Sequence, residues 1–339
     1  MPPNIYDIAR AANVSIATVS HALSGRGRVA EATRERVRQT ASELGYAANP
    51  HARSLVSGRS RMVAMQIAGF TEGGASKALL PDAAYYMDVL NGAASAAAEH
   101  DHALVLIPHS LEPVKVRSLA VDGAIIVDPT GGDELTAELV ALGIPVVTTG
   151  RPTGGPFEFP WVDNNHAETA RRMLDHLLAM GYTRPALIST PPTVSYVADI
   201  YNAFVRWSFD HGLQPRTVEV PEPPTEKSGA RVARRLLSAK DPPDAVYTSY
   251  DRLAVGVLAE AQRQGIEVPG ELGIASAVDG DLLRWINPTI TSVALNARRI
   301  GSEAVERLIT LLTEDQPSQA GVVIPARIVE RASTRRVGK

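Results

Sequence analysis

Between Val14 and Val29 the sequence reads VSIATVSHALSGRGRV: hydroxyls at Ser15, Thr18 and Ser20, an imidazole at His21, guanidiniums at Arg26 and Arg28, and no acid. Side chains of these types donate hydrogen bonds to phosphate oxygens and base edges, so the chemistry on offer is recognition of a polyanion. Bond-breaking chemistry finds less support. The densest metal-like cluster, Glu99-His100-Asp101-His102, falls at a helix end before a strand, where turn chemistry accounts for it. The chain has no cysteine, which removes thiol nucleophiles, thiolate metal sites and disulfides together. Single serines such as Ser195 lack a positioned partner. No phosphate loop, G-x-G-x-x-G or H-E-x-x-H occurs, and GRGRVA lacks the third glycine. The expectation is a protein that is not an enzyme and uses no metal or cofactor.

Charge singles out the same region. Residues 1–61 hold nine arginines against Asp7, Glu31, Glu35 and Glu43, a balance of +5, so the net −3 of all 339 residues leaves −8 for the rest. A small basic head on a larger acidic body is the electrostatic footprint of a polyanion binder. At 45% apolar and 21% charged the chain reads as globular, and its length exceeds one ordinary core. It has no apolar run of membrane-spanning length and no secretory leader pattern at MPPNIYDIARAANVS, which points to the cytoplasm.

Helices must hold the head's polar groups. Ile5, Ile8, Ala9 and Ala12 recur at helical spacing, predicting a helix over 5–12. Asn13 tolerates the left-handed conformation that a tight turn needs. Ser15 is a good N-cap for a second helix, Ile16–Ser24. On that helix Val19, Ala22 and Leu23 face inward, while Ile16, Ala17, Ser20 and His21 form an outward face small enough to enter a major groove. Gly25 and Gly27 end it, with Arg26 and Arg28 placed to reach phosphates. A third helix, about 31–44, would bury Val37, Ala41 and Leu44. The arrangement is a helix-turn-helix with a supporting helix.

IYDIARAANVSIATVSHALSG followed by VAEATRERVRQTASELGYAANPHARSL resembles the DNA-binding head of the LacI/GalR family of bacterial transcription regulators. The match covers about 55 residues, among them Tyr6-Asp7-Ile8-Ala9, Thr18-Val19-Ser20, Leu44-Gly45-Tyr46 and Asn49-Pro50. The resemblance implies base reading by Ile16, Ala17 and His21, and phosphate positioning by Tyr6, Ser15, Thr18 and Ser20. The family caps its third helix with Ser or Thr. Ala30 stands there instead, a loss on the order of 1 kcal/mol, partly offset by Glu31 in the first turn. Asn49 and Pro50 suit a helix start. In the family this segment folds only on operator DNA and a leucine wedges into the central base step, which implies a hinge helix with Asn49, Ala52 and Leu55 at the DNA. A plain linker is the alternative.

From Met62 the pattern changes to short apolar runs alternating with helices. MVAMQIA, ALVLIPH, GAIIVDP, IPVVTTG, RPALIST, DAVYTSYD and LGIASAVD read as buried parallel strands of doubly wound sheets. Two sheets fit the count, meeting near Val162–Asn164 and Thr291–Leu295. The resemblance continues through VDNNHAETARRMLDHLLAMGYTRPALIS and PTITSV and implies an α/β two-lobed body like periplasmic sugar-binding proteins. The expected division is a helix-turn-helix domain at 1–48, a hinge and linker at 49–61, and an effector-binding and dimerisation body at 62–339. Within the body the N-lobe takes about 62–162 and 293–320, and the C-lobe 163–292 and 321–339. No leucine heptads follow Arg335, so a homodimer is expected rather than a tetramer.

Ligands of such sheets sit at the carboxyl ends of the strands, and there the sequence departs from the family. Ile200 replaces an arginine that grips sugar and purine effectors, Tyr250-Asp251 replaces an Asn-Asp pair, and Val278 stands for a hydroxyl-binding aspartate with Asp279 beside it. Buried sugar hydroxyls would go unpaired, at about 1–3 kcal/mol each. Tyr85-Tyr86 matches an aromatic pair of purine-type members, and Trp285 lies in a loop able to close over the cleft. Stacking by Tyr85, Tyr86, Tyr250 and Trp285, with Arg151 and Asp279 as polar anchors, predicts an aromatic, nucleoside-like or substituted-glycoside effector. The same tyrosines would serve equally as packing between lobes. The resulting reading is a repressor of a palindromic double-stranded DNA operator under a small-molecule effector. The alternatives are a regulator that needs no ligand and, more distantly, a solute-binding protein.

Overall fold

Short polar side chains start and stop the helices of the N-terminal unit. In the computed structural model, which describes residues 3–24, 27–46, 59–67, 83–108, 115, 118–130, 134–153, 159–220, 223–315, 318 and 320–336, the chain folds as two units, Met1–Arg61 and Met62–Lys339. Helix α1, Ile5–Ala11, opens on a capping box: Asn4 Oδ1 accepts from the Tyr6 and Asp7 amides, and the Asn4 amide donates to Asp7 Oδ2 at 3.0 Å. It closes with Asn13 at φ 52° and the Val14 amide donating back to the Ala9 carbonyl at 3.0 Å. Two residues later Ser15 Oγ accepts from the Thr18 amide at 3.0 Å and starts α2, Ile16–Ser24. Helix α3, Glu31–Glu43, begins at Ala30 without a side-chain cap, as expected. Ile8, Ala12, Val19, Ala22, Val37 and Ala41 form the core of this unit.

One expected core residue is not there. Leu44 is exposed, because α3 ends at Glu43 and Gly45 takes φ 64°. The Tyr46 amide then reaches back to the Ala41 carbonyl at 2.8 Å, and Tyr46 packs against the core in place of Leu44. The proposed hinge segment, with Asn49, Ala52 and Leu55, lies outside the described residues.

Among the described residues the body forms two six-stranded sheets. The first has the order β11-β5-β4-β3-β1-β2, built from Met62–Ile67 (β1), Ala103–Ile107 (β2), Gly123–Val127 (β3), Val146–Thr149 (β4), Trp161–Asp163 (β5) and Val322–Val323 (β11), and every pairing is parallel. The second has the order β12-β10-β9-β8-β6-β7, from Pro185–Ser189 (β6), Thr217–Glu219 (β7), Ala245–Thr248 (β8), Gly273–Ser276 (β9), Thr291–Ala294 (β10) and Arg327–Val329 (β12). Here only β12 runs antiparallel, against β10. Each of the seven apolar runs named above contains a strand. The central ones are buried on both faces, which is why they read as continuous rather than alternating.

Three crossings join the sheets, after β5, after β10 and between β11 and β12. The last falls later than the expected 321, since Val322–Val323 still pairs with Val162–Asp163. Two-residue strands carry too little pattern to be read in a sequence. Helices Ala83–Glu99 (α4) and Ala297–Thr313 (α11) pack on the first sheet at backbone contact: a Cβ at Gly92 would stand 1.9 Å from the Arg298 carbonyl oxygen, and one at Gly301 1.9 Å from that of Val89. The Glu99–His102 turn serves this packing. His100 Nε2 bonds Glu306 on α11 at 2.9 Å, and Asp101 takes φ 57°. Helix Glu134–Ala141 (α5) covers the other face of the first sheet, and helices His166–Ala179 (α6), Ser195–Asp210 (α7), Glu226–Leu237 (α8) and Asp251–Arg263 (α9) cover the second. Among the described residues, no helix is long and apolar enough to cross a membrane.

Candidate nucleic-acid interface and interlobe cleft

The outward face of α2 has the small, uncharged character that its spacing predicts. Ile16, Ala17 and His21 are exposed and Ser20 is half-buried, while Val19 and Ala22 are buried beneath them. Tyr6, on the first turn of α1, is 62% exposed, and Arg28 is exposed. The hydroxyls of Ser15 and Thr18 lie 2.8 Å apart, so the cap itself holds two polar groups at the start of the helix. The loop after α2 returns to it. Gly27, at φ 76°, is so close to the His21 imidazole that a Cβ there would stand 2.8 Å from Nδ1. Gly27 thus limits where that ring can swing, a positioning role that sequence reasoning assigned only to helix termination.

Carboxyl ends of strands from both sheets converge on a small inner cavity of about 20 Å³, lined by Tyr85, Tyr86, Asp128, Asp163, His166, Tyr196, Tyr250, Val278 and Leu295. Tyr85 and Tyr86 come from α4 and meet edge to face at 5.4 Å; Tyr196 on α7 and Tyr250 before α9 do the same at 5.5 Å. The Tyr86 hydroxyl donates to Asp128 Oδ2 at 2.9 Å, and His166 Nε2 donates to Asp163 Oδ1 at 3.0 Å. Burial, then the Asp128 charge, pushes the Tyr86 hydroxyl well above its ordinary range. Burial likewise pushes the Asp128 carboxyl up to about 6, with Asp163 adding to the shift and the Tyr86 hydrogen bond opposing it. A second cleft of about 800 Å³ shares Tyr85, Val278 and Leu295 with the first and is lined further by Asp88, Asp279, Arg284, Asn296, Arg298 and Arg299.

Of the residues the sequence proposed for an effector, Tyr85, Tyr86 and Tyr250 come together at the inner cavity, and Asp279 lines the outer cleft. Arg151 stands behind the wall. Its guanidinium pairs with Asp199 and lies 3.7 Å from Asp163 Oδ2. Three positions do not join them. Ile200 is buried in the core with Phe204 and Trp207, since it falls on the inward face of α7. Trp285 closes over neither cavity: it ends the four-residue helix Leu282–Trp285 (α10), anchored by buried Leu283, and is 86% exposed. Asp251 turns its Oδ1 to the Arg252 amide at 2.6 Å, against Gly280. Asp279 is committed to structure, 2.7 Å from Arg331 and 3.0 Å from Arg284. Asp128, Asp163, His166 and Tyr196 were missed. The signal for the two acids was present, because each sits at the carboxyl end of a parallel strand.

Comparison with known proteins gives both units a place. Residues 4–49 match the model of the bacterial regulatory proteins of the lacI family, and residues 174–334 match that of the periplasmic binding protein-like domain. The HTH-type transcriptional regulator AglR of Rhizobium meliloti is 30% identical over 98% of this chain and 95% of its own length. Catabolite control protein A of Staphylococcus xylosus is 27% identical over 99% of this chain and all of its own. The fold matches a solved structure of the lac repressor dimer bound to operator and the anti-inducer ONPF, with a TM-score of 0.79 at 20% identity over 98% of this chain and 99% of that one. With a lacI-type helix-turn-helix region preceding a two-sheet α/β body in sequence, and with relatives aligned along nearly its whole length, the chain belongs to the lacI family of bacterial regulatory proteins, DNA-binding transcriptional regulators.

Proposed function

We propose that the chain is a repressor that binds a palindromic operator as a homodimer, and that a small molecule taken up between the two lobes of the body controls that binding. The observation that carries the DNA reading is the α2 face: Ile16, Ala17 and His21 exposed on a helix whose polar cap adjoins them and whose opposite side buries Val19 and Ala22, with Leu23 partly buried beside them. An exposed helix face without long or charged side chains has little reason to avoid charge unless something lies against it, and the major groove admits a helix of that size. The surplus of five positive charges over residues 1–61 favours a polyanion as the thing that does. Tyr6, Ser15, Thr18, Ser20 and Arg28 then position the backbone, and Ile16, Ala17 and His21 read bases.

Control by a ligand is supported by the inner cavity, where side chains of both sheets meet around polar groups that packing alone does not require. The lac repressor structure with the matching fold is described as a dimer with operator and a ligand together, which supports the same combination here.

The test is selection of binding sites from random duplex DNA by the full chain, with the stoichiometry of the complex measured by sedimentation. Two protomers on a site with two-fold symmetry, with affinity falling steeply in salt, are the expected result. One protomer on an asymmetric site, or equal affinity for random duplex, would overturn the homodimer and operator reading.

A further inference from the structure

The polar groups of the inner cavity are unbalanced in kind. Its hydrogen-bond donors are engaged within the protein: Tyr86 to Asp128, His166 to Asp163, and the Tyr196 hydroxyl to the Ser249 carbonyl at 3.3 Å. Its acceptors are only partly engaged. Asp163 is 4% exposed, and its Oδ2 is buried without a hydrogen-bond partner, Arg151 Nε being the nearest cation at 3.7 Å. The other oxygen of Asp163 already accepts from His166 and from the Asn164 amide. Asp128 is held only through the Tyr86 hydroxyl and makes no ion pair among the described residues.

Charge points the same way. Asp163 and Asp199 share one guanidinium, that of Arg151, which is paired with Asp199, and Asp128 stands beside Asp163 with no guanidinium of its own among the described residues. Around these carboxylates stand the rings of Tyr85, Tyr86, Tyr196 and Tyr250, whose faces carry negative potential. An anion would meet the carboxylates of Asp128 and Asp163 and the negative faces of the tyrosine rings, with His166 already engaged by Asp163. A neutral polyol would leave Asp128 without a counter-charge and Asp163 with only the shared Arg151 at 3.7 Å. A group that brings donors and positive charge satisfies both deficits at once.

We propose that the effector of this chain is a primary amine, its ammonium head seated between Asp128 and Asp163 within the tyrosine wall. This rests on the reading of the interlobe cleft as the effector site and narrows it. In this conformation the cavity of about 20 Å³ takes a group about the size of one water molecule, which an ammonium head matches and a trimethylammonium head exceeds. The rest of the ligand extends past Tyr85, Val278 and Leu295, the wall shared with the larger cleft.

The test uses the full chain and three matched pairs in calorimetric and thermal-shift titrations at pH 7.5: tyramine with tyrosol, putrescine with butane-1,4-diol, and glucosamine with glucose. Choline serves as the quaternary control. At least one amine is expected to bind a hundredfold or more tighter than its neutral partner, to outbind choline, and to lose that advantage in Asp128→Asn. No binding by any of the three amines at millimolar concentration overturns the proposal. So does a neutral partner, or choline, that binds as tightly as the amines. If the neutral compounds bind and Asp128→Asn or Tyr250→Ala abolishes it, the cleft reading survives and only the amine is wrong. If amines bind but neither substitution changes their affinity, the site itself lies elsewhere.

Discussion

The imidazole of His21 rests against the backbone of Gly27, close enough that a methyl group at position 27 would lie 2.8 Å from Nδ1. The loop that follows α2 therefore fixes the side chain that α2 presents. Gly27→Ala forces the ring aside and places an L-residue at φ 76°, a strain of about 1–2 kcal/mol. Operator affinity is expected to fall tenfold or more, while affinity for random duplex stays within about twofold. Fluorescence anisotropy on the two DNAs checks both numbers. A parallel drop on both would mean that Gly27 serves only the folding of the head.

His21 and Arg28 separate the two kinds of DNA contact. His21→Ala is expected to flatten base preference at one position of each half-site by about 1–3 kcal/mol of discrimination. Arg28→Ala is expected to weaken binding on all sequences alike and to lower the salt slope by about one. Competition titrations against single-base variants of the selected site, repeated at several salt concentrations, read out both effects.

Asp128 gives the cleft an acid dependence with a definite sign. Tyr86 on α4, Asp163 on β5 and His166 on α6 face it, and burial holds its folded-state carboxyl up at about 6. A carboxyl raised in the folded state contributes stability that is fully present below about pH 4 and lost as the pH rises through 6. Asp128→Asn should therefore match the parent at pH 4 and exceed it at pH 8 by on the order of 2 kcal/mol, discounted for the accessible part of the side chain. Urea unfolding at the two pH values tests this. Amine affinity runs the other way: it should rise as the pH passes upward through 6, because the carboxylate that pairs with the ammonium appears there.

Asp279 behaves in the opposite sense. Burial pushes its carboxyl up, but hydrogen bonds from Arg331 and Ser292 and the nearby Arg284 outweigh that and hold it below the ordinary range. Arg331 also bonds the Ile290 carbonyl at 2.8 Å, so it ties the C-terminal residues to β10. Arg331→Met leaves the buried carboxylate with the Ser292 hydroxyl and, as its remaining cation, half-exposed Arg284, at about 3 kcal/mol in urea unfolding at neutral pH. The parent's contribution from this pair is present above the ordinary carboxylate range and is lost as the pH falls below that range through the lowered folded-state value, so the difference between the two proteins should shrink in acid.

The sequence was most legible where a local rule and the tertiary fold ask for the same residue. Asn13 at its left-handed turn, Ser15 on its helix and the seven buried runs all satisfy both. Leu44 failed because its helical period continues one residue past a helix that Gly45 has already ended. Ile200 failed for a different reason. A position matched to a family arginine was assigned to the cleft, whereas an isoleucine there has no polar end to keep it in water and lies inward with Phe204. The pairing of Asp279 with Arg331 spans 52 residues and obeys no short-range spacing, so no periodicity could reveal that this acid was already engaged.

The late return of the chain to its first sheet bears on how the protein is made. Val322–Val323 completes an edge that Trp161–Asp163 has offered since the middle of synthesis, and α11 packs on that sheet only after five of the second sheet's six strands have been translated. At ribosomal speeds the gap of about 160 residues between β5 and β11 lasts roughly 10–30 s. For that interval the first sheet stands with one edge unpaired and an apolar face uncovered, while the second is also unfinished, awaiting β12. Neither lobe can therefore be secured before the other. Nascent-chain proteolysis should find both lobes becoming resistant together, in the last few dozen residues to leave the ribosome.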